Sequence, residues 1–278
     1  MTMFPMNNRL GPWLLILLSL SLGLASCDNT IDPLQENDRY VFSIYGFLDV
    51  SVDTQWVRVM PIRDSLYLAP RPIDATVTLE HVGGGQPVTL EDSLFRYGMQ
   101  AYAYNFWTDL EMIPGDTYRL EAMRSDGEYS SVMFTFPVDF PEPDVRILEH
   151  DVVDQIYIFG VQTLALVEVI YEVIDPSEPE SEPRDRLAVS QIENAEGITN
   201  GFVVTVNPDE DALKLRLRVS NSSVRFKPVQ VRVAAAGSDW PDFLNLEDED
   251  LALPDVVSNV ENGLGFVAPV MTKTAPYE

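Results

Sequence analysis

Between Arg39 and Val50 the chain reads "RYVFSIYGFLDV", a run of β-branched and aromatic residues with strand character. "TQWVRVMPI" then sets Trp56, Arg58 and Met60 against Val57 and Val59, the period-two pattern of a half-buried strand. In "DATVTLEHV", Ala75, Val77 and Leu79 alternate with Thr76, Thr78 and Glu80. "GGGQ" (Gly83–Gln86) supplies a turn and "PVTLED" begins the return, which predicts a hairpin. "YAYNFW" and "YRLEAMRSDGEYSSVMFTF" add further strands, the second folded at Asp126-Gly127. Long helical periodicity is scarce. About seven short strands within 39–137 predict a β-sandwich.

Within "LEMIPGDTYRLEA", Pro114-Gly115 precedes Tyr118 and Leu120 in alternation. The phrase resembles the strand entry of immunoglobulin-like and fibronectin-type domains, where a tyrosine hydroxyl caps a corner and its ring packs inside. "PVDFPEPD" (Pro137–Asp144) breaks the pattern. Its prolines lack donors and hold their predecessors extended, so the stretch is expected to be a stiff linker. Beyond it, "VRILEH", "QIYIFG", "ALVEVIYEVID", "GFVVTVN", "KLRLRVS" and "VQVRVAAAG" read as strands of a second β-rich unit. "DPSEPESEPRDR" (Asp175–Arg186) interrupts that unit as an acidic, proline-rich loop. "DWPDFLNLEDEDLAL" reads as a short helix or loop. Gly263 and Gly265 predict a tight turn feeding a last strand that docks back on the body.

The N-terminus has a different pattern. Arg9 is the one charge before "WLLILLSLSLGL" (Trp13–Leu24), an apolar run shorter than the roughly 20 residues that cross a bilayer. A basic start, a short apolar run and small residues describe a secretory signal peptide. Leu24-Ala25-Ser26-Cys27 resembles the lipobox of bacterial lipoproteins, and Cys27 is the only cysteine of 278 residues. The resemblance implies diacylglyceryl transfer to the Cys27 thiol and cleavage before it. One cysteine makes no internal disulfide, whereas two or more acyl chains anchor a protein stably. "DNTIDPLQEND" then reads as a polar tether.

The expected organisation is all-β: signal peptide 1–26, lipidated tether 27–38, an immunoglobulin-like sandwich 39–137, a proline-rich linker 138–144, and a second β-rich unit 145–278 with the C-terminal strand.

Charge removes some partners. The formal net charge is −26, and removing 1–26 takes away Arg9 and leaves the rest one unit more negative. Nucleic-acid binders cluster Lys and Arg against phosphate. Here only Lys214, Lys227 and Lys273 are lysines, and no basic cluster exists, so nucleic acid is not an expected partner. The acid-rich, lysine-poor balance suits high salt, which shortens repulsion to about 3 Å at 1 M.

Candidate chemistry is sparse. His81 and His150 lie far apart in sequence, too few for an ordinary zinc or copper site, and no metal or cofactor is expected. No Gly-x-Ser-x-Gly elbow is present. "NPDEDA" and "LEDEDLALPD" offer carboxylates without the alternating calcium-loop pattern, and read as solvated acidic faces. In "YGMQAYAYNFW" (Tyr97–Trp107), Tyr102, Tyr104 and Phe106 share one strand face, expected to fill the core, with Trp107 opposite.

The lipobox, "WVRV" ahead of "PRPIDATVTLEH", "PGDTYRLEA" and "SNVENGLGFV" together resemble a family of secreted Bacteroidetes lipoproteins without assigned activity, often encoded beside TonB-dependent receptors. Val267-Ala268-Pro269 departs from the aromatic-glycine pair that the family carries there. The resemblance implies a lipid-anchored envelope protein with an outer-membrane receptor as partner. An aspartate after the lipidated cysteine, here Asp28, favours the inner membrane in one sorting rule; the family resemblance implies the outer membrane. The expected function is a non-enzymatic accessory or interaction module attached to membrane lipid through acylated Cys27. The alternatives are a glycan-binding protein or adhesin, marked by an exposed aromatic row, and a carboxylate-based hydrolase, marked by a desolvated carboxylate in a pocket.

Overall fold

The computed structural model describes residues 40–62, 72–97, 101–148, 152–176, 185–219, 223–238, 240 and 257–278, the side chains of 97, 101 and 102 excepted. The predicted signal peptide, Cys27 and the tether lie outside the described residues, as do 177–184 of the acidic loop.

Eight strands fill the first half: β1 (Phe42–Asp49), β2 (Gln55–Pro61), β3 (Thr76–His81), β4 (Val88–Thr89), β5 (Glu91–Tyr97), β6 (Ala101–Thr108), β7 (Thr117–Met123) and β8 (Tyr129–Thr135). The alternation seen in sequence is the alternation of burial: Phe42, Ile44 and Leu48 point inward from β1, Val57 and Val59 from β2, Val77 and Leu79 from β3. Sheets β1-β2-β6-β5 and β4-β3-β7-β8 enclose one core with Leu120, Phe134 and Phe136 at its centre. Tyr118 is buried there, and its hydroxyl accepts the Ile113 N–H at 3.0 Å. Burial pushes its ionisation up, so it stays a neutral phenol.

The second half repeats the arrangement. Its strands are β9 (Asp144–Arg146), β10 (Asp154–Phe159), β11 (Leu164–Ile174), β12 (Arg186–Ser190), β13 (Ala195–Ile198), β14 (Gly201–Val206), β15 (Arg225–Ala236) and β16 (Gly263–Pro276). Sheet β9-β10-β14-β13 faces β12-β11-β15-β16 across a separate core of Ile156, Ile158, Val169, Val204 and Val231. Raising each strand number of the first half by eight reproduces both strand orders. The proline-rich segment joins the halves, and Phe140 within it is buried in the second core.

The two halves share a sheet. From Phe42↔Gly263 to Asp49↔Val270 the start of β16 runs parallel to β1, and from Val270↔Ala236 to Gln230↔Pro276 its end runs antiparallel to β15. An eight-stranded ladder, β12-β11-β15-β16-β1-β2-β6-β5, results. The Asn259 amide accepts from Val267 N–H at 3.0 Å and donates to its carbonyl at 2.8 Å, standing in for a neighbouring strand.

Two expectations are corrected. Gly263 and Gly265 lie inside β16 rather than in a turn; the turn residue is Asn262 just ahead, at φ 51°. Gly265 is there for close approach, since a Cβ would lie 2.1 Å from the Ile44 carbonyl oxygen at φ +118°. "KLRLRVS" is not a strand. Lys214–Arg216 closes helix α1 (Pro208–Arg216), capped where the Asn207 side chain accepts the Glu210 N–H. Pro208 takes the first position, and Asp209, Glu210 and Asp211 meet the positive end of the helix dipole. Of the alternating leucines, Leu215 is buried while Leu213 and Leu217 are exposed, so the apparent period of two does not describe one buried face.

Candidate functional site

Strand alternation has a second consequence on the outer face of the long sheet. With Phe42, Ile44 and Leu48 in the core, Tyr45 and Phe47 must point out, and they are 52% and 71% exposed. Trp56 of β2 is 40% exposed and stands opposite Trp107 of β6; Tyr45 stands opposite Phe266 of β16 and Arg58 of β2. The Trp56 ring meets Phe95 of β5 edge-on, centroids 5.4 Å apart, and Trp107 at 6.0 Å. At the other side Trp240 touches Phe47 (6.3 Å) and Phe266 (6.0 Å). Arg58 Nε donates to Asn105 Oδ1 at 3.4 Å among these rings. A shallow depression of about 410 Å³ opens between Tyr45, Phe47, Trp56, Arg58 and Phe266. Leaving one large apolar side chain in water forgoes about 1.5–3 kcal/mol of burial, and this face does so repeatedly.

The stretch Tyr97–Trp107 divides accordingly. Phe106 is buried, Tyr104 packs half-buried on the first core, and Trp107 joins the outer face. The side chain of Tyr102 lies outside the described residues. The exposed partners Tyr45, Phe47 and Trp56 come from runs read only as strands. Their signal was the surplus of aromatic residues on the polar phase of the alternation.

A second candidate is polar. Asp211 of α1 is 2% exposed, and its Oδ2 accepts from Tyr171 Oη at 2.7 Å and from Gln191 Nε2 at 2.5 Å. Asn194 Nδ2 donates to Gln191 Oε1, completing the chain. Burial raises the Asp211 carboxyl above the usual carboxylate range, against the opposing pull of the Tyr171 bond and Lys214. A cavity of about 360 Å³ adjoins it, with Glu193, Glu196 and Lys214 in its wall. The Asp211 oxygen that holds Tyr171 and Gln191 ties α1 to strand β11 and the turn after β12. The arrangement explains how a short helix is fixed to a sheet, and among the described residues no second carboxylate is hydrogen-bonded to Asp211. Asp154 is likewise buried and accepts from Tyr277 Oη at 2.7 Å, clamping the end of β16.

The remaining sequence candidates scatter. His81 ends β3, its Nε2 2.9 Å from Asp116 Oδ2 and its ring stacked on Tyr118. His150, Cys27 and the acidic run 246–255 lie outside the described residues. "NPDEDA" is the capped start of α1. Among the described residues no group of three or more His, Cys, Asp or Glu is placed to hold a metal ion, and no helix is long and apolar enough to cross a membrane.

No protein-family model matches the chain, and no curated protein matches it.

Proposed function

We propose that the protein is a lipid-anchored, non-enzymatic interaction module of the cell envelope, held to membrane lipid through acylated Cys27 at the outer membrane and working beside an outer-membrane receptor or transport system. The observation that carries the interaction reading is the row of rings Phe95, Trp56, Tyr45, Phe47 and Phe266 on the outer face of the long sheet. Contiguous exposed apolar area of this kind marks binding surfaces. The anchoring half rests on Leu24-Ala25-Ser26-Cys27 and the polar tether behind it.

We further infer that the first sandwich is immunoglobulin-like. Strand orders β1-β2-β6-β5 and β4-β3-β7-β8 correspond to A-B-E-D and C′-C-F-G of that fold, and the Tyr118–Ile113 bond occupies the tyrosine-corner position. A second reading, a glycan-binding protein or adhesin, is favoured by the same ring row, because sugars also dock on aromatic side chains.

Fatty-acid labelling combined with affinity isolation of the tagged full chain from detergent-solubilised membranes tests the proposal. The expected result is a labelled chain that brings down an outer-membrane protein in near-equal amount, and a Cys27→Ser variant that is unlabelled, unprocessed and isolated alone. Label retained by Cys27→Ser, or turnover of a substrate by the purified chain, would contradict it.

A further inference from the structure

Resting on the interaction-module reading, we propose that the aromatic half of the long sheet's outer face is the docking surface for another envelope protein, one that offers an apolar patch bordered by lysine or arginine.

Three observations define the partner. The first is charge. Asp53, Glu91, Asp92 and Asp109 stand exposed at one end of the strands that carry the rings, since Glu91 pairs with Trp107 and Gln55 with Thr108. The whole chain carries −26. Such a field draws a basic-rimmed partner and repels a second copy of this chain, whose face would bring the same carboxylates to the same margin. The second is composition. Trp56, Tyr45, Phe47 and Phe266 around Arg58 are the residue types that carry binding energy at the centres of protein interfaces, with acidic groups outside that centre.

The third is relief. The Trp56 and Phe95 rings stand at 78° to each other, Trp240 and Phe266 at 73°, and Phe47 and Trp240 at 50°. A sugar ring stacks on a flat aromatic face. Rings packed edge to face leave ridges and the depression between Tyr45 and Phe266 instead, a surface that interdigitates with side chains. A neutral glycan would also gain no long-range steering from the carboxylate margin.

The neighbouring half of the ladder supplies an internal control. On the other half of the same long sheet, the outward positions of β15, β16 and β11 carry Arg232 bonded to Glu168, with Thr272 and Thr274 beside them. The same ladder is thus stable with a polar exterior, so the rings of the first half are not a requirement of the fold.

The test is site-specific photo-crosslinking of the full lipidated chain in its own cells. p-Benzoylphenylalanine replaces Phe47 on the face and, in a separate chain, Ile198 on β13 of the second sandwich as a control. The expected result is an adduct at position 47 to a different protein, joined at an apolar residue flanked by Lys or Arg, with yield about tenfold above that at 198. Trp56→Ser in the same chain should lower the yield about tenfold, and the isolated pair should associate about tenfold more slowly in 0.5 M than in 0.05 M sodium chloride. Adducts to a second copy, or to a patch without basic residues, would overturn the proposal. So would a saturable change in tryptophan fluorescence with cellohexaose or chitohexaose that Trp56→Ser abolishes, which would assign the face to sugar. Adducts at 198 but not at 47 would remove the face and leave the interaction module standing; protein adducts at neither position would remove both.

Discussion

The two halves of the long sheet, β1-β2-β6-β5 and β12-β11-β15-β16, differ in what they turn outward. Strands β1, β2 and β6 expose Tyr45, Phe47, Trp56 and Trp107, whereas β11, β12 and β15 expose Glu168 bonded to Arg232 and Glu172 paired with Arg186. Inside, they are alike: Ile44, Val57 and Val59 in one, Val167, Val169 and Val231 in the other, all buried. A sandwich needs only its inner phase to be apolar. The outer phase is left to other demands, and it carries paired charges in one half and exposed rings in the other.

The join between the halves is where the comparison breaks most readily. Gly265 holds φ +118° against Ile44, so Gly265→Ala places a Cβ on a backbone oxygen and strains the backbone as well. A loss above about 3 kcal/mol in urea unfolding is expected. Both cores should melt together, because β16 hydrogen-bonds to each half. Melting of the second half alone would show that the shared sheet does not couple them.

The repeat was invisible in sequence because it is one of strand order, not of residues. Strand β16 belongs to both halves only through pairings across more than two hundred positions, such as Phe42 with Gly263, and no local pattern carries that information. What was legible is what periodicity reports: the alternation of β1, β2 and β3, the hairpin at 83–86, and the inward phase of Tyr118 and Leu120. Helix α1 was missed although Asn207-Pro208-Asp209-Glu210 carries a cap, a first-position proline and acidic first-turn residues. The Lys-Leu-Arg-Leu-Arg alternation suggested a strand and outweighed those signals. The aromatic face was half legible: Trp107 was placed opposite the core, but which strands would flank it depended on the sheet order.

A moderate effect sharpens the contrast between a polar interior tie and a polar exterior. Tyr171→Phe should cost about 1–3 kcal/mol, since it strips a buried bond from Asp211. Asp211 also predicts a pH effect. Burial raises its carboxyl in the folded state, so its contribution to stability is fully present below the ordinary carboxyl range and is lost as pH rises through the raised value. Asp211→Asn removes that loss. Its melting temperature relative to the natural chain should therefore climb as pH goes from about 4 towards neutrality; a difference that stays flat, or falls, would contradict the buried-carboxyl account.

A smaller effect is expected outside. Glu168→Gln leaves Arg232 in contact with water, so the change should stay under about 1 kcal/mol and shrink further in high salt.

The central claim is that the outer rings of the first half are not there for the fold. Replacing the two most exposed, Tyr45→Thr with Phe47→Thr, keeps strand-forming residues in β1. The direct measurement is equilibrium urea unfolding of this double variant beside the natural chain. The account predicts an unchanged slope and a loss below about 1 kcal/mol. A loss above about 3 kcal/mol, the size that follows truncation of a core aromatic, would mean that the rings hold the sheet together and would contradict it.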